Sequence, residues 1–424
     1  MINTMSYSEK VIELIQTGNL DEVDETIQLA LMHDDDDTIY LLGNSLYQLG
    51  FLEETRLVYN HLIDLNPLDD DLKIYLAEIE IEEGNDIDAL EILHSINESS
   101  PAYPQVLLVE ADYYMLNDLP EVSLQKLDEA NELVPNEPII LFALAEVYYT
   151  ISDFQQAIYY YKDLLETGHE EIAGTLMSGR LGDAYLMIGD YKQSIVYLKE
   201  AIEYKDDAES YFQLGFAYMG QEDYEQAIDA LNRAKVLDST LIGIYVLLSN
   251  AYEQIQELEK ALDILKEAII VNEMDTDLYI AAGEIATKNQ DYEQAKSYYQ
   301  KALELEPDND RVVLKYANYL SFVDEYAELI ELFERSAGNI QEDPDASWLL
   351  ATAHNMMDEY DKAREFFTLA YPYFSKDLTF LKEYAIFLRE DGQRDKMKEI
   401  LEDYLKLNPQ ADNEILSLLD DFNY

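Results

Sequence analysis

The sequence predicts an all-α fold built as a solenoid of stacked two-helix repeats, and three observations predict it. Small residues recur every 34 positions, at Gly215, Ser249 and Gly283, then at Ala227, Ala261 and Ala295, and again at Ala234, Ala268 and Ala302. Large apolar residues such as Tyr211, Leu214, Tyr218, Tyr224 and Leu231 surround these small sites at helical spacing. Prolines Pro67, Pro101, Pro135, Pro307 and Pro409 fall near the ends of the repeats, where a proline stops a helix. Two helices can cross closely only where no bulky side chain stands between them, so the small residues mark the crossing of a first helix (A) with a second (B). One such pair cannot bury its own apolar stripe, and the pairs must stack.

The stretch from Ala208 to Pro307, three consecutive repeats in register, resembles the tetratricopeptide repeat (TPR). That resemblance implies a right-handed superhelical solenoid of about twelve two-helix repeats with a C-terminal capping helix. Carried towards the amino terminus, the frame places a degenerate repeat near residues 4–35, with Val11 in a small-residue slot, and repeats beginning near Asp36, Asp70, Pro104 and Pro138. Gly43, Ala77, Ala111 and Ala145 occupy the small slot in those four. The segment TGHEEIAGT then adds three residues to the period. The expected organisation is therefore about five repeats over residues 1–166, a longer turn and possible hinge over 167–174, about seven repeats over 175–410, and a capping helix over 411–424.

Composition restricts function further. The 424 residues carry 89 acids against 28 bases, a net charge of −61, which repels nucleic acid and anionic lipid and favours cationic partners. There is no cysteine, and so no disulfide, thiolate metal site or cysteine nucleophile. The first residues, MINTMSYSEK, lack a basic region followed by an apolar core, and no apolar run reaches the ~18 residues of a membrane span. A cytoplasmic protein without a membrane span is expected.

Catalytic signatures are missing from the sequence. His33, His61, His94, His169 and His354 are scattered over different repeats without metal-ligand spacing. The Asp34–Asp37 and Asp69–Asp71 runs lack the alternating acids, glycine and distal glutamate of a calcium loop. They stand before helix A, where acids cap an incoming helix N-terminus. No phosphate-binding glycine loop or nucleophile elbow occurs. No enzyme, cofactor or metal is expected.

In the family this chain resembles, helix A lines an inner groove and its second, fifth, ninth, twelfth and thirteenth positions meet the ligand. The resemblance carries those roles to Tyr40, Ile74, Leu108, Phe142, Phe212 and Trp348 at the fifth position. At the ninth stand Asn44, Glu78, Asp112, Glu146, Asp183, Phe216, Asn250 and Asn318, and at the twelfth Tyr47, Ile81, Met115, Tyr149 and Met219. Glu78, Asp112, Glu146 and Asp183 form an acidic row over four successive repeats beside these apolar residues. Only five Lys or Arg occur in the first 170 residues, so little there would neutralise it. A chaperone-type carboxylate clamp is not expected, because the fifth position is apolar in nearly every repeat and Lys382 precedes Ile386 instead of an asparagine. Asn250 and Asn318 offer amides to an extended peptide backbone.

The whole chain is similar to the acidic TPR proteins of Gram-positive bacteria, the YpiA-like group. That resemblance implies a protein-interaction scaffold or adaptor, with regulated proteolysis or cell-envelope control as its context. The expected ligand is a basic, partly apolar protein segment in the acidic groove. Two alternatives stay open: a structural protein that self-associates, and an accessory regulatory subunit of an enzyme complex.

Overall fold

The computed structural model describes residues 5–336, 340, 343–410 and 413–420. The chain divides into two compact units, Met1–Asp206 and Asp207–Tyr424. The first holds α1 (Tyr7–Thr17), α2 (Val23–His33), α3 (Asp36–Gln48), α4 (Leu52–Leu65), α5 (Asp70–Glu82), α6 (Asp86–His94), α7 (Tyr103–Leu116), α8 (Pro120–Leu133), α9 (Pro138–Thr150), α10 (Phe154–Glu166), α11 (Met177–Met187) and α12 (Tyr191–Tyr204). The second holds α13 (Ala208–Gly220), α14 (Tyr224–Leu237), α15 (Ile242–Gln254), α16 (Leu258–Val271), α17 (Thr276–Lys288), α18 (Tyr292–Leu305), α19 (Asp310–Phe322), α20 (Tyr326–Arg335), α21 (Pro344–Met356), α22 (Tyr360–Phe374), α23 (Leu378–Glu390), α24 (Arg394–Leu407) and α25 (Asn413–Asp420). Odd-numbered helices up to α23 are A helices and even-numbered ones are B helices. The fold is an all-α repeat solenoid. Of the expected capping segment, α25 buries Ile415 and Leu418 against α23, while 411–412 and 421–424 lie outside the described residues.

Close packing in the small slot explains why these sequences form paired helices. A Cβ added to Gly215 would stand 2.5 Å from Cγ of Leu231, and one on Gly43 would stand 2.5 Å from Cε1 of Tyr59. Gly182 meets Leu198 and Gly283 meets Tyr299 in the same way. Each A helix thus receives a large B-helix side chain against its own backbone. Where that slot holds alanine, the facing residue is again fully buried: Leu93, Leu127, Tyr161, Phe333, Phe367.

The turn between A and B repeats its geometry as faithfully as the helices do. One residue in each takes a left-handed conformation: Gly50 and Gly84, but also Asp118, Ser152, Glu222, Gln256, Gln290, Asp324 and Asp358, with φ near +60° in the non-glycine cases. The residue after it often caps helix B. The carboxylates of Asp153, Asp190, Asp223 and Asp291 each accept from the backbone N–H of a glutamine three residues on, at 3.2–3.3 Å. The Asp runs act likewise: Asp35 accepts from the Thr38 N–H at 3.0 Å and Asp69 from that of Leu72 at 3.3 Å, while Asp34 holds the Ser8 hydroxyl at 2.7 Å. Many of the acids are therefore parts of helix ends.

The three-residue insertion folds as a small hairpin. Strands β1 (Glu171–Ile172) and β2 (Thr175–Leu176) pair antiparallel, joined by Ala173 and Gly174 at φ +49° and +79°. Ile172 packs on the core of the amino-terminal unit. The boundary between compact units falls one repeat later, after Asp206.

Candidate partner-binding groove

Five A helices of the amino-terminal unit, α3, α5, α7, α9 and α11, carry the expected site residues from Tyr40 to Asp183. Tyr47, Ile81, Met115, Phe142 and Tyr149 are half-buried on this face, each leaving part of an apolar or aromatic surface to solvent. Tyr40 is also half-buried, beside Tyr75. Two residues depart from expectation. Ile74 is 2% exposed and Leu108 8%, so neither offers surface to a partner. Ile74 packs with Val106 and Val109 of α7, and Leu108 with Leu141 and Ala145 of α9, because the next A helix covers the fifth position here. Asn44 is committed internally, its side-chain oxygen accepting from the Tyr59 hydroxyl at 2.8 Å.

The acidic row divides into two halves of different character. Glu146 accepts from the Tyr161 hydroxyl at 2.6 Å and forms an ion pair with Arg180 of α11. Asp183 accepts from the Tyr149 hydroxyl at 2.6 Å, and the Arg180 guanidinium lies 5.2 Å from the centre of the Tyr149 ring. Arg180 neutralises this end of the row. It stands just beyond the base-poor first 170 residues, one repeat after Glu146, and the repeat register would have found it.

Glu78 and Asp112 have no such partner: neither takes a hydrogen bond or ion pair with any described residue. Desolvation pushes the Glu78 carboxyl up to about 7, and the charges of Asp112 and Glu82 push the same way. Desolvation also raises Asp112. Asp112 is nevertheless open to water. The face of α5 and α7 that carries Ile81 and Met115 is thus partly apolar, and among the described residues no cation pairs with its two carboxylates.

The remaining expected residues lie in the carboxy-terminal unit. Phe216 is 43% exposed and Asn250 is exposed, while Phe212 and Met219 pack partly against the core. Trp348 is held in place, its indole N–H donating to Glu383 at 2.7 Å and its ring 5.0 Å from that of Phe374. The Asn318 amide donates to the Leu314 carbonyl of its own helix at 2.7 Å, which leaves its side-chain oxygen for a ligand. Asn318 also lines a cavity of about 810 Å³ with Leu314, Tyr319, Phe322, Lys288, Arg311 and Lys315. The last three pair across A helices with Glu253, Asp277 and Glu284. This face is balanced in charge, in contrast to α5 and α7. Among the described residues, no helix is long and apolar enough to cross a membrane.

Comparison with known proteins accords with this geometry. Models of YpiA-like tetratricopeptide repeats match residues 116–169, and their C-terminal counterpart matches 344–411. General tetratricopeptide-repeat models match 177–207, 208–241, 242–272 and 276–309. The TPR repeat-containing protein YpiA of Bacillus subtilis (strain 168) is 30% identical over 420 residues, 98% of this chain and 99% of that protein. The chain belongs to the YpiA-like tetratricopeptide-repeat family. Among solved structures, MamA is 28% identical with a TM-score of 0.36, over 39% of this chain and 95% of that one. The C-terminal part of a TPR repeat-containing protein from Cytophaga hutchinsonii is 15% identical with a TM-score of 0.45, over 66% of this chain and 99% of that one. Tetratricopeptide-repeat proteins are in general non-enzymatic scaffolds for protein–protein interaction, and the YpiA-like family shares that architecture.

Proposed function

We propose that this YpiA-like chain is an adaptor whose amino-terminal groove binds a basic, partly apolar segment of another protein. The observation that carries the reading is the α5–α7 surface, where half-buried Ile81 and Met115 accompany two carboxylates that no cation among the described residues neutralises. Phe142, Tyr149 and Tyr47 extend the apolar surface to either side. Apolar burial supplies most of the affinity, at roughly 25 cal/mol per Å² removed from water before ordering costs are subtracted. The acids select sign and speed encounter, their field being screened within about 8 Å at physiological salt.

Affinity capture at low and physiological salt, followed by binding kinetics with a captured partner, tests this. Phe142→Ala with Tyr149→Ala raises the dissociation rate if the groove is the site. Replacing Glu78, Asp112, Glu146 and Asp183 by their amides slows association and flattens its salt dependence. A partner that binds both variants as it binds the parent places the site elsewhere and leaves the groove acids a role in solubility.

A further inference from the structure

Bases are scarce on the A helices. Among the described residues these helices carry eight Lys or Arg, and three of them, Lys288 of α17 with Arg311 and Lys315 of α19, line the same cavity of about 810 Å³. The other five, Lys10, Lys73, Arg180, Lys382 and Arg389, are spread over α1, α5, α11 and α23. Each of the three reaches back to an acid on the preceding A helix: Arg311 donates to Asp277 at 2.6 Å, Lys315 to Glu284 at 2.6 Å, and Lys288 pairs with Glu253. The bases are all exposed, and such pairs add little to stability. Pairing does fix the cationic heads at the cavity, and each head keeps N–H donors that no described residue accepts. Apolar surface is open beside them. Phe322 is 63% exposed and Leu314 is half-buried, on one stripe of α19 with Arg311, Lys315 and Asn318. The Asn318 amide is spent on the Leu314 carbonyl, while its side-chain oxygen accepts from no described residue.

We propose that this cavity binds an extended segment of a partner protein that carries two acidic side chains, at i and i+2, next to a large apolar one. The site belongs to the carboxy-terminal unit, does not rest on the amino-terminal groove reading and has the opposite charge preference. Spacing sets the pattern. Arg311 and Lys315 stand one helical turn apart, with Cβ atoms roughly 6 Å from each other. Alternate side chains of an extended chain point the same way at about 7 Å, so each carboxylate meets one base. Two bases so placed call for two carboxylates, which makes the segment internal and not a chain terminus. Charge-assisted hydrogen bonds form to the donors that Asp277 and Glu284 leave over. Displacing those two acids also costs little, because the pairs are exposed. The apolar side chain covers Phe322 and Leu314, removing from water a ring that the fold leaves bare. The Asn318 oxygen takes a backbone N–H of the segment. The chain's charge of −61 does not forbid an acidic ligand, since remote acids are screened beyond about 8 Å at physiological salt while the three bases act at contact.

Paired synthetic peptides test this directly. The probes are dye-labelled peptides of about twelve residues, blocked at both ends, with a central Glu-Ser-Glu flanked on each side by leucine and tyrosine. Their partners carry Gln-Ser-Gln instead. At physiological salt the parent protein prefers the Glu peptide by about ten-fold or more. R311Q/K315Q abolishes that preference, whereas K260Q/K266Q, which removes the same charge from the B helix α16, keeps it. Phe322→Ala weakens both peptides alike. The proposal is overturned if the parent shows no Glu preference, if the preference survives R311Q/K315Q, or if K260Q/K266Q removes it to the same extent. An unblocked Gln peptide that matches the Glu peptide also overturns it, since the site then takes a chain-terminal carboxylate. So does a Phe322→Ala protein that binds both peptides as the parent does. The amino-terminal groove is tested apart: Phe142→Ala with Tyr149→Ala leaves the Glu preference intact, and its loss there would place the acidic segment in the other unit. Circular dichroism of R311Q/K315Q confirms folding, which the loss of two exposed pairs does not threaten.

Discussion

At the residue scale, stability rests on side chains that must be absent as much as on those present. Leu231 lies against the Gly215 backbone, so Gly215→Leu forces two side chains into one volume and costs about 1–3 kcal/mol or more in chemical denaturation. Glu222→Ala, in the adjoining turn, is the matched control and shifts the midpoint little, since both residues bear a Cβ at φ +61°. Equal midpoints would refute the packing register. Ser123 and Ser194 occupy the slot held elsewhere by Ala227, Ala261 and Ala295, and their buried hydroxyls have no hydrogen-bond partner among the described residues. Ser194→Ala therefore stabilises by about 1 kcal/mol, and a loss of stability would mean that the hydroxyl is bonded after all. Glu78 supplies a pH test. Its folded-state pKa lies above its ordinary 4.5, so between about 4.5 and 7 the native state holds more proton than the unfolded chain. The free protein thus loses stability as pH rises through that window. Glu78→Gln removes that part of the slope, and an unchanged profile would show that the carboxyl is not desolvated.

At the element scale, the hairpin at 171–176 shows how a solenoid absorbs extra residues. The turn of Ala173 and Gly174, both at positive φ, matches the right-handed twist of paired strands, so the additional length closes on itself. The Tyr204 hydroxyl of α12 donates to Glu171 at 3.2 Å, and Ile172 anchors the other side. Amide exchange decides whether the segment hinges. A closed hairpin exchanges no faster than the turns at Glu222 or Gln256, whereas faster exchange at 171–176 would make it a hinge. Shortened B helices are a second departure from regularity. α6 ends at His94 and α20 at Arg335, whereas α14, α16 and α18 each run to 14 residues. After α6, Asn97 accepts from the Ser99 N–H at 2.9 Å and its hydroxyl at 2.6 Å, a local turn that competes with further helix.

At the scale of the whole molecule, the charge of −61 governs behaviour that no single contact explains. Most cross-repeat ion pairs on the A-helix face of the carboxy-terminal unit, such as Arg311–Asp277 and Lys315–Glu284, are substantially exposed and worth about 0–1 kcal/mol each. They cannot offset the mutual repulsion of so many surplus acids. Screening shortens the range of that repulsion from about 30 Å at 0.01 M salt to about 8 Å at 0.15 M. The thermal midpoint therefore rises with sodium chloride over this range. A midpoint that falls instead would mean that attractive pairs outweigh net repulsion.

The repeat register, the slots that must stay small, the helix caps and the family were all legible in the sequence, because each is set by spacing within one repeat. The 34-residue period alone aligned Gly215 with Gly283 and placed the aspartates before their helices. What lay between repeats was decided by the tertiary structure. Whether a fifth-position side chain is open or covered depends on how near the next A helix comes, and that approach buried Ile74 and Leu108. Which acids find a partner depends on what reaches across from a neighbouring helix: Arg180, 34 residues on, pairs with Glu146, while no cation among the described residues pairs with Glu78. Four acids in one register thus became two with hydrogen-bond partners and two without one among the described residues, since the cost of a charge is set by the groups and the water around it and not by its place in the period.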